Sequence, residues 1–454
     1  MKDFANRVFR LRPGETGIVL VLGLMLLSNS AAVQVSGIVS VSNFLSEGGV
    51  NYFLIVWLVD FLLILLMAGL QSLIVDRFER VSLIRWMTFG FALVFVILRL
   101  MFIFRVPGWL NYSLLYLVAE QQLLFFPLIF WILANDVFDM AQAKRLFPLI
   151  ASWGFVGKLL GNGMAAVSPS LFARLDIRPE EMLTLNILVY LLTYLLILGG
   201  LRQVQVRRTT HKHETVRETL TEGWGFVREV LSFRYLMLAI VALTLCDTIV
   251  GFRFYVVSDA VFGDPGSYQR FFSLYRLGVT LAAFFVQSLL TSRIINRISL
   301  QNTFLILPCA VLAGATWMMA LPGIISGVGG MMLLGLTRDT VNQSARKAFL
   351  ALVPEERRGR VSMFIDSYLP SVGVIIGCLV TGAIVFVGIH LDIRNYFYIY
   401  LAVAVLAALF AIWAILRMRA VYDSSLWNWR LKRRQRRSSV LGDSGWWRDD
   451  RTGA

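Results

Sequence analysis

Apolar stretches long enough to cross a lipid bilayer recur along the whole sequence, and no other feature constrains its fold as strongly. A transmembrane helix needs about 20 mostly apolar residues, and the hydrocarbon core accepts only helices or closed barrels because backbone groups find no water there. The chain is 57% hydrophobic and 16% charged, whereas soluble domains are about 45–50% apolar and about 25% charged. The sequence therefore predicts an all-α membrane protein and excludes a set of soluble domains.

Twelve such stretches can be delimited, with polar segments between most of them. They cover 15–42, 52–75, 82–104, 109–134, 146–169, 182–201, 234–257, 268–291, 302–321, 323–345, 361–388 and 394–418. We number these stretches spans 1 to 12. The first is too long for a signal peptide and has no cleavage site of small residues, so we expect it to remain in the mature protein.

The lysines and arginines of the loops determine the expected orientation. With the N-terminus in the cytoplasm, the inner segments carry 31 Lys and Arg and the outer loops carry 4. Cytoplasmic loops of membrane proteins have such an excess, so both termini are predicted to be cytoplasmic. The formal net charge of +15 has the same origin, and we expect no nucleic-acid binding.

The longest polar connection, 202–233, divides the spans into two groups of six. Landmarks recur across it at a constant offset of 216 residues: Gln71-Ser72-Leu73 with Gln287-Ser288-Leu289, Gly157 and Gly161 with Gly373 and Gly377, and Lys144 with Arg360. A shared offset predicts an internal duplication. The predicted organisation is a cytoplasmic N-terminus (1–14), a first half (15–201), a cytoplasmic linker with an amphipathic helix (202–233), a second half (234–418) and a basic, Trp-containing cytoplasmic tail (419–454).

Short segments of the chain carry a resemblance to a known superfamily. Ser72-x-x-x-Asp76-Arg77-Phe78-Glu79-Arg80 resembles the major facilitator loop motif G-x-x-x-D-R-x-G-R, with Ser72 and Glu79 in place of the glycines, and 354–360 is similar to the loop after helix 10. Segments 11–15 and 143–161 resemble the nucleotide (ATP/ADP) exchange transporters, a distant branch. The resemblance implies twelve transmembrane helices in two parallel six-helix repeats, the major facilitator architecture, working by alternating access.

Ionisable residues inside the spans are candidates for a substrate site, because each costs about 2.5–3.5 kcal/mol at the centre of a bilayer. Lys158, Glu120 and Asp247 lie near the middle of their spans, at the depth where such transporters bind substrate. The candidate substrate-binding residues are Lys158, Arg276, Arg338, Glu120, Gln121, Asp247 and Asn342. The alternative for each is a permanent ion pair or a hydrogen bond between helices.

The charged loops at the inner ends of the spans are candidates for a gate. An acid there can cap a neighbouring helix or pair with an arginine of the other half, and such a contact holds one conformation of a rocking transporter. The candidate gating residues are Asp76, Arg77, Arg80, Arg293, Arg358 and Arg360. Ordinary positive-inside loop charge is the alternative. The repeated glycine pairs put small residues on one helix face, which indicates close helix packing.

Together these features indicate a secondary active transporter for a small polar solute. Lys158, Arg276, Arg338 and the exchanger-like segment favour an organic anion such as a nucleotide or a phosphorylated metabolite. The intramembrane acids leave open a proton-coupled antiporter of cationic or amphipathic compounds. Three isolated cysteines and three histidines give no metal-ligand spacing and no catalytic cluster, so we expect no metal, no cofactor and no enzymatic activity.

The partners and the location follow from the same features. We expect a monomer in a bacterial inner membrane that binds a small-molecule substrate, with a proton or a counter-substrate as the coupling partner. Residues 426–437 contain two Trp and six basic residues, which predicts contact between the tail and anionic lipids.

Overall fold

The computed structural model describes residues 15–75, 78–176, 179–202, 216–298, 300–350, 353 and 355–443. Helices and short turns make up these described residues, with no strand among them. The helices of the first half are α1 (Glu15–Gly48), α2 (Phe53–Val75), α3 (Arg80–Ile103), α4 (Gly108–Val137), α5 (Met140–Leu175) and α6 (Met182–Gly200).

The second part of the chain begins with a short helix and continues with longer ones. These helices are α7 (Val216–Glu229), α8 (Leu231–Val261), α9 (Pro265–Phe285), α10 (Thr291–Ile298), α11 (Leu300–Thr303), α12 (Ile306–Ala320), α13 (Ile324–Leu336), α14 (Gln343–Leu350), α15 (Glu355–Met363), α16 (Leu369–His390) and α17 (Phe397–Asp443). Three π-helical segments join α9 to α10, α13 to α14 and α15 to α16: Val286–Leu290, Thr337–Asn342 and Phe364–Tyr368. Such segments are frequent at functional sites.

Each predicted span falls on one helix or on helices in series, but the composition of two differs from the rest. Among the described residues, ten helices are long and apolar enough to cross a bilayer. The helices of spans 5 and 10 are not among these ten. Lys158 and Asn162 interrupt the apolar sequence of α5, and Arg338 lies two residues after the end of α13. The count of twelve spans therefore stays a prediction.

Glycines allow helices within each half to approach closely. A Cβ atom at Gly161 of α5 would lie 2.6 Å from the carbonyl oxygen of Ala31 in α1. A Cβ atom at Gly373 of α16 would lie 2.7 Å from the carbonyl oxygen of Val241 in α8. The packing role that the spacing predicts for these glycines is what the structure shows. This packing sets the distance of α5 from α1, and both helices contribute to the site described below.

A cluster of aromatic rings joins the first half to the second. The Phe53 ring of α2 lies 5.1 Å from Tyr116 of α4 and 5.1 Å from Tyr255 of α8. Trp57 lies 5.7 Å from Tyr255, and its Nε1 donates to the Tyr116 hydroxyl at 2.9 Å. All four side chains are buried. Aromatic pairs contribute about 0.5–1.5 kcal/mol each beyond their burial, so this cluster stabilises the conformation in which the two halves meet here.

The linker and the tail are both helical where the structure describes them. Helix α7 lies in the segment where the sequence predicts an amphipathic helix, and its Phe226 and Val227 are buried in an apolar cluster of the second half. Gly223 of α7 approaches Phe364, since a Cβ atom there would lie 2.6 Å from the ring. Helix α17 runs without a break to Asp443, so the tail begins as a continuation of the last span.

Candidate substrate-binding site

Lys158 borders a cavity of about 280 Å³ between α1, α4 and α5. Asn29, Ser30 and Gln34 of α1 give this cavity a polar wall, and Trp131 of α4 adds an aromatic one. The Lys158 side chain is exposed, whereas its depth in the span suggests a desolvated ammonium. Within the described part of the chain, no carboxylate forms an ion pair with Lys158. The described residues therefore offer no partner for a permanent ion pair with Lys158.

Arg276 of α9 approaches the same cavity from the second half. Its Nη1 donates to Gln34 Oε1 at 3.4 Å, and Gln34 also lines the Lys158 cavity. The guanidinium lies over the Phe272 ring, with Cζ 4.9 Å from the centroid. Gly37 makes room for it, because a Cβ atom there would lie 3.1 Å from Nη1. No carboxylate among the described residues forms an ion pair with Arg276.

Arg338, by contrast, is neutralised by two acids. Its Nη1 lies 2.5 Å from Asp247 Oδ2 of α8, and its Nε lies 2.8 Å from Asp339 Oδ1. Arg338 and Asp247 thus form an ion pair with each other, which is the alternative to substrate binding considered for them above. The Arg338 side chain is nevertheless 40% exposed. Asn342 is buried and shares with this pair a smaller cavity of about 50 Å³.

The acids of the first half lie close to this set. Glu120 interacts electrostatically with Arg276 and Arg338. The neighbouring Gln121 donates a hydrogen bond from its side-chain amide nitrogen to Asp60 Oδ1 at 3.3 Å. Asp60 is 1% exposed, and no cation in the described ranges lies within ion-pair distance of it.

A hydrogen-bonded chain that the sequence interpretation missed orients the polar wall of the cavity. Gln122 Nε2 donates to the Tyr190 hydroxyl at 2.8 Å, and that hydroxyl donates to Asn29 Oδ1 at 2.7 Å. The three residues come from α4, α6 and α1, and all are buried. Asn29, Gln122 and Tyr190 each stand out as polar groups in apolar spans, but the sequence does not show that the three meet.

The candidate gating residues have different surroundings. Arg80 Nε lies 3.6 Å from Asp136 Oδ2, within the first half, and Arg293 is exposed while Arg360 is half-buried. Asp76 and Arg77 lie outside the described residues, as does the side chain of Arg358.

One ion pair in the second half joins the C-terminal end of span 10 to the N-terminal part of span 11. Arg346 of α14 pairs with Asp366 and also donates to the Ile365 carbonyl at 2.8 Å. Neither residue is among the candidates from sequence, since an ion pair between two helices depends on how each is rotated.

Comparison with solved structures identifies the fold. A mutant of the nucleoside transporter NupG superposes with a TM-score of 0.61 at 14% identity, covering 89% of this chain and 100% of that chain. An auto-inhibited POT family peptide transporter gives 0.64 at 13% (89% and 97% covered). A bacterial homologue of the iron transporter ferroportin, in its inward-facing state, gives 0.61 at 13% (90% and 99% covered). These similarities show the fold alone, which is that of major facilitator-type transporters.

Sequence comparison identifies the family. No curated protein sequence matches the chain significantly. Residues 24–329, well over half of the chain, match the TLC ATP/ADP transporter family. The family and the structural neighbours are transporters and not enzymes, and the helices that the structure describes include ten able to cross a membrane. The chain is therefore a multi-pass membrane transporter that belongs to the TLC ATP/ADP transporter family.

Proposed function

We propose that the protein is a secondary active transporter that moves a nucleotide or a phosphorylated metabolite by alternating access. The observation that carries this proposal is the pair of cations around Gln34. Lys158 belongs to the first half and Arg276 to the second. Neither forms an ion pair with a carboxylate among the described residues, and Glu120 interacts with Arg276 only at a longer distance. Lys158 is exposed and Arg276 is half-buried, so both remain accessible to a ligand, and a phosphate chain could form charge-assisted hydrogen bonds with both.

The division of the cations between the halves suits a carrier. An anion that binds Lys158 and Arg276 together bridges the two halves, so its binding energy acts on their relative position. The offset of 216 residues pairs Gly157 with Gly373, and a Cβ atom at either would meet a carbonyl oxygen, that of Leu27 in α1 or that of Val241 in α8. These equivalent contacts support the arrangement of twelve spans in two parallel six-helix repeats.

The same features bear on the oligomeric state, the orientation and the membrane location of the protein. Both cations come from one chain, which supports a monomer as the working unit. The excess of Lys and Arg supports cytoplasmic termini, and we place the protein in a bacterial inner membrane. The tail is proposed to contact anionic lipids.

The test measures thermal unfolding of the detergent-purified protein in the presence of ADP, ATP, sugar phosphates, carboxylates, amino acids and lipophilic cations. A ligand at 100 times its Kd stabilises the folded state by about 2.7 kcal/mol. We expect a shift with nucleotides that disappears in Lys158→Ala and in Arg276→Gln. Lys347→Ala, which removes an exposed lysine remote from the cavity lining, is the matched control and keeps the shift. Shifts with cations alone would overturn the proposal.

A second candidate function rests on Asp60. Asp60 is buried and accepts a hydrogen bond from Gln121, and no cation in the described ranges lies within ion-pair distance of it. An acid in such a position inside a span is a candidate proton carrier. This favours a proton-coupled antiporter of cationic or amphipathic compounds. The discriminating variant is Asp60→Asn, which should abolish proton movement with substrate if this candidate is right. Nucleotide exchange that is unchanged in Asp60→Asn would reject it.

A further inference from the structure

We propose that a groove between α7 and the start of α8 binds the headgroup of an anionic phospholipid. The groove has a volume of about 330 Å³. Its walls are formed by Trp224, Val227, Arg228, Arg234 and Met237. It is separate from the Lys158 cavity, and it belongs to the linker and not to the tail where lipid contact is expected from sequence.

Two arginines give the groove its charge. Arg234 Nη2 donates to the Arg228 carbonyl at 3.1 Å, which holds its guanidinium at the C-terminal end of α7. Both side chains are exposed, and in the described ranges no carboxylate pairs with either of them. Guanidinium groups bind phosphate through two parallel hydrogen bonds. The remaining N–H groups of this pair are therefore suited to a phosphate.

The apolar side of the groove points to a lipid and not to a soluble anion. Trp224 is 55% exposed beside Val227 and Met237, while the opposite face of α7 is anchored by Phe226 in the apolar cluster of the second half. Tryptophan concentrates at the membrane interface. With the linker in the cytoplasm, as the loop charges predict, the groove faces the leaflet surface where anionic lipids attract basic segments.

The position of α7 suggests what the lipid would do. Gly223 packs on Phe364, which lies two residues before Asp366, the partner of Arg346. A lipid that holds α7 in place would therefore stabilise the helical segment 355–368 against which α7 packs. The expected consequence is a more stable second half in anionic membranes.

The experiment measures lipid binding to the full-length protein by native mass spectrometry. The probes are phosphatidylglycerol and phosphatidylcholine of equal chain length. We expect phosphatidylglycerol to bind preferentially, the Arg228→Gln/Arg234→Gln double variant to lower its occupancy about tenfold, and excess inorganic phosphate not to displace it. The matched control is Arg105→Gln/Arg394→Gln, which removes two exposed arginines that lie outside both the groove and the tail and should retain binding.

Three results would overturn the inference. They are unchanged occupancy in the Arg228→Gln/Arg234→Gln variant, an equal loss in the control, and displacement by inorganic phosphate, which would indicate a site for free phosphate. Trp224→Leu keeps both charges and should weaken phosphatidylglycerol more than phosphate, so it tests the apolar side separately. The nucleotide-dependent thermal shift of the same samples reports on the Lys158 site, so the two proposals can fail independently.

Discussion

At the scale of single residues, the intramembrane charges fall into two groups. Arg338 is held by Asp247 and Asp339, and Arg253 lies over the Phe397 ring with its Cζ 3.9 Å from the centroid. Lys158 and Arg276, in contrast, form no ion pair with a carboxylate among the described residues, and Glu120 acts on Arg276 from beyond ion-pair distance. The sequence could identify all four as unusual, because charge in an apolar span is visible at once. It could not separate them, because pairing depends on the rotation of each helix.

Gln34 offers a direct test of the cation pair. Gln34→Glu should place a carboxylate beside Arg276 and in the cavity of Lys158, where it would occupy the place of the substrate anion. Hydrogen bonds to charged groups contribute about 1.5–3 kcal/mol, so we expect ADP affinity to fall about 10- to 100-fold while the unfolding temperature is unchanged or raised. Isothermal titration measures the first quantity and a thermal scan the second.

Gln34→Met is the control for this substitution, because it has a similar size and no charge. It should weaken ADP binding much less than Gln34→Glu does. Equal losses in the two variants would mean that Gln34 acts through its own amide and that the cations do not form the anion site.

Trp131 is the residue to test for recognition of a base. It lines the Lys158 cavity, and stacking of a base on an aromatic ring contributes about 1–3 kcal/mol. Trp131→Leu should therefore weaken ADP binding about 5- to 100-fold while pyrophosphate binds with unchanged affinity. Competition of both ligands against a labelled nucleotide gives the two affinities. A parallel loss for pyrophosphate would show that Trp131 only shapes the cavity.

At the scale of helices, the sequence predicts where the helices lie along the chain better than it predicts where each one begins, ends or changes to π-helical geometry. Span 8 was expected at 268–291, whereas the helix begins at Pro265 and continues through a π-helical segment to Ile298. Apolar runs reveal a helix because lipid demands them, but nothing in composition marks a π-helical turn. Glycine spacing did predict close packing, since only glycine allows two backbones this near to each other. It could not identify α1 and α8 as the partners.

Two glycines of α5 give a matched pair of substitutions. A Cβ atom at Gly161 would meet the backbone of α1, whereas one at Gly163 would have no atom within 4 Å. Gly161→Ala should therefore destabilise the protein by about 1–3 kcal/mol through overpacking. Gly163→Ala should be neutral or slightly stabilising, because alanine favours helix. Thermal unfolding in detergent compares them, and equal effects would contradict the packing argument.

At the scale of the whole molecule, the aromatic cluster and the cavity define one conformation. The rings of Phe53, Trp57, Tyr116 and Tyr255 close the space between the halves near the start of α2. If the termini are cytoplasmic, this is the outer side, and the conformation is closed to the outside. Alternating access then requires these rings to separate while the inner ends approach each other.

The orientation can be tested by labelling with a membrane-impermeant maleimide. The exposed Cys309 is first replaced by Ser. Tyr52, which is 63% exposed between α1 and α2, is then changed to Cys, and Lys347 is changed to Cys in a second variant. We expect Tyr52→Cys to react in intact cells and Lys347→Cys to react only after permeabilisation. The reverse pattern would place both termini outside.

The two helices that fall short of membrane-spanning composition have a consequence for biosynthesis. A segment with charged residues enters lipid less favourably on its own, and contacts with segments made before it can assist its insertion. Asp247 is synthesised before Arg338, so the ion-pair partner of Arg338 is already present when Arg338 leaves the ribosome. Lys158 has no such acid partner among the described residues, and the polar groups that share its cavity are those of α1, which has been made before it. Efficient insertion of α5 should therefore depend on Asn29, Ser30 and Gln34, which would make the polar cavity wall a requirement for assembly before it serves transport.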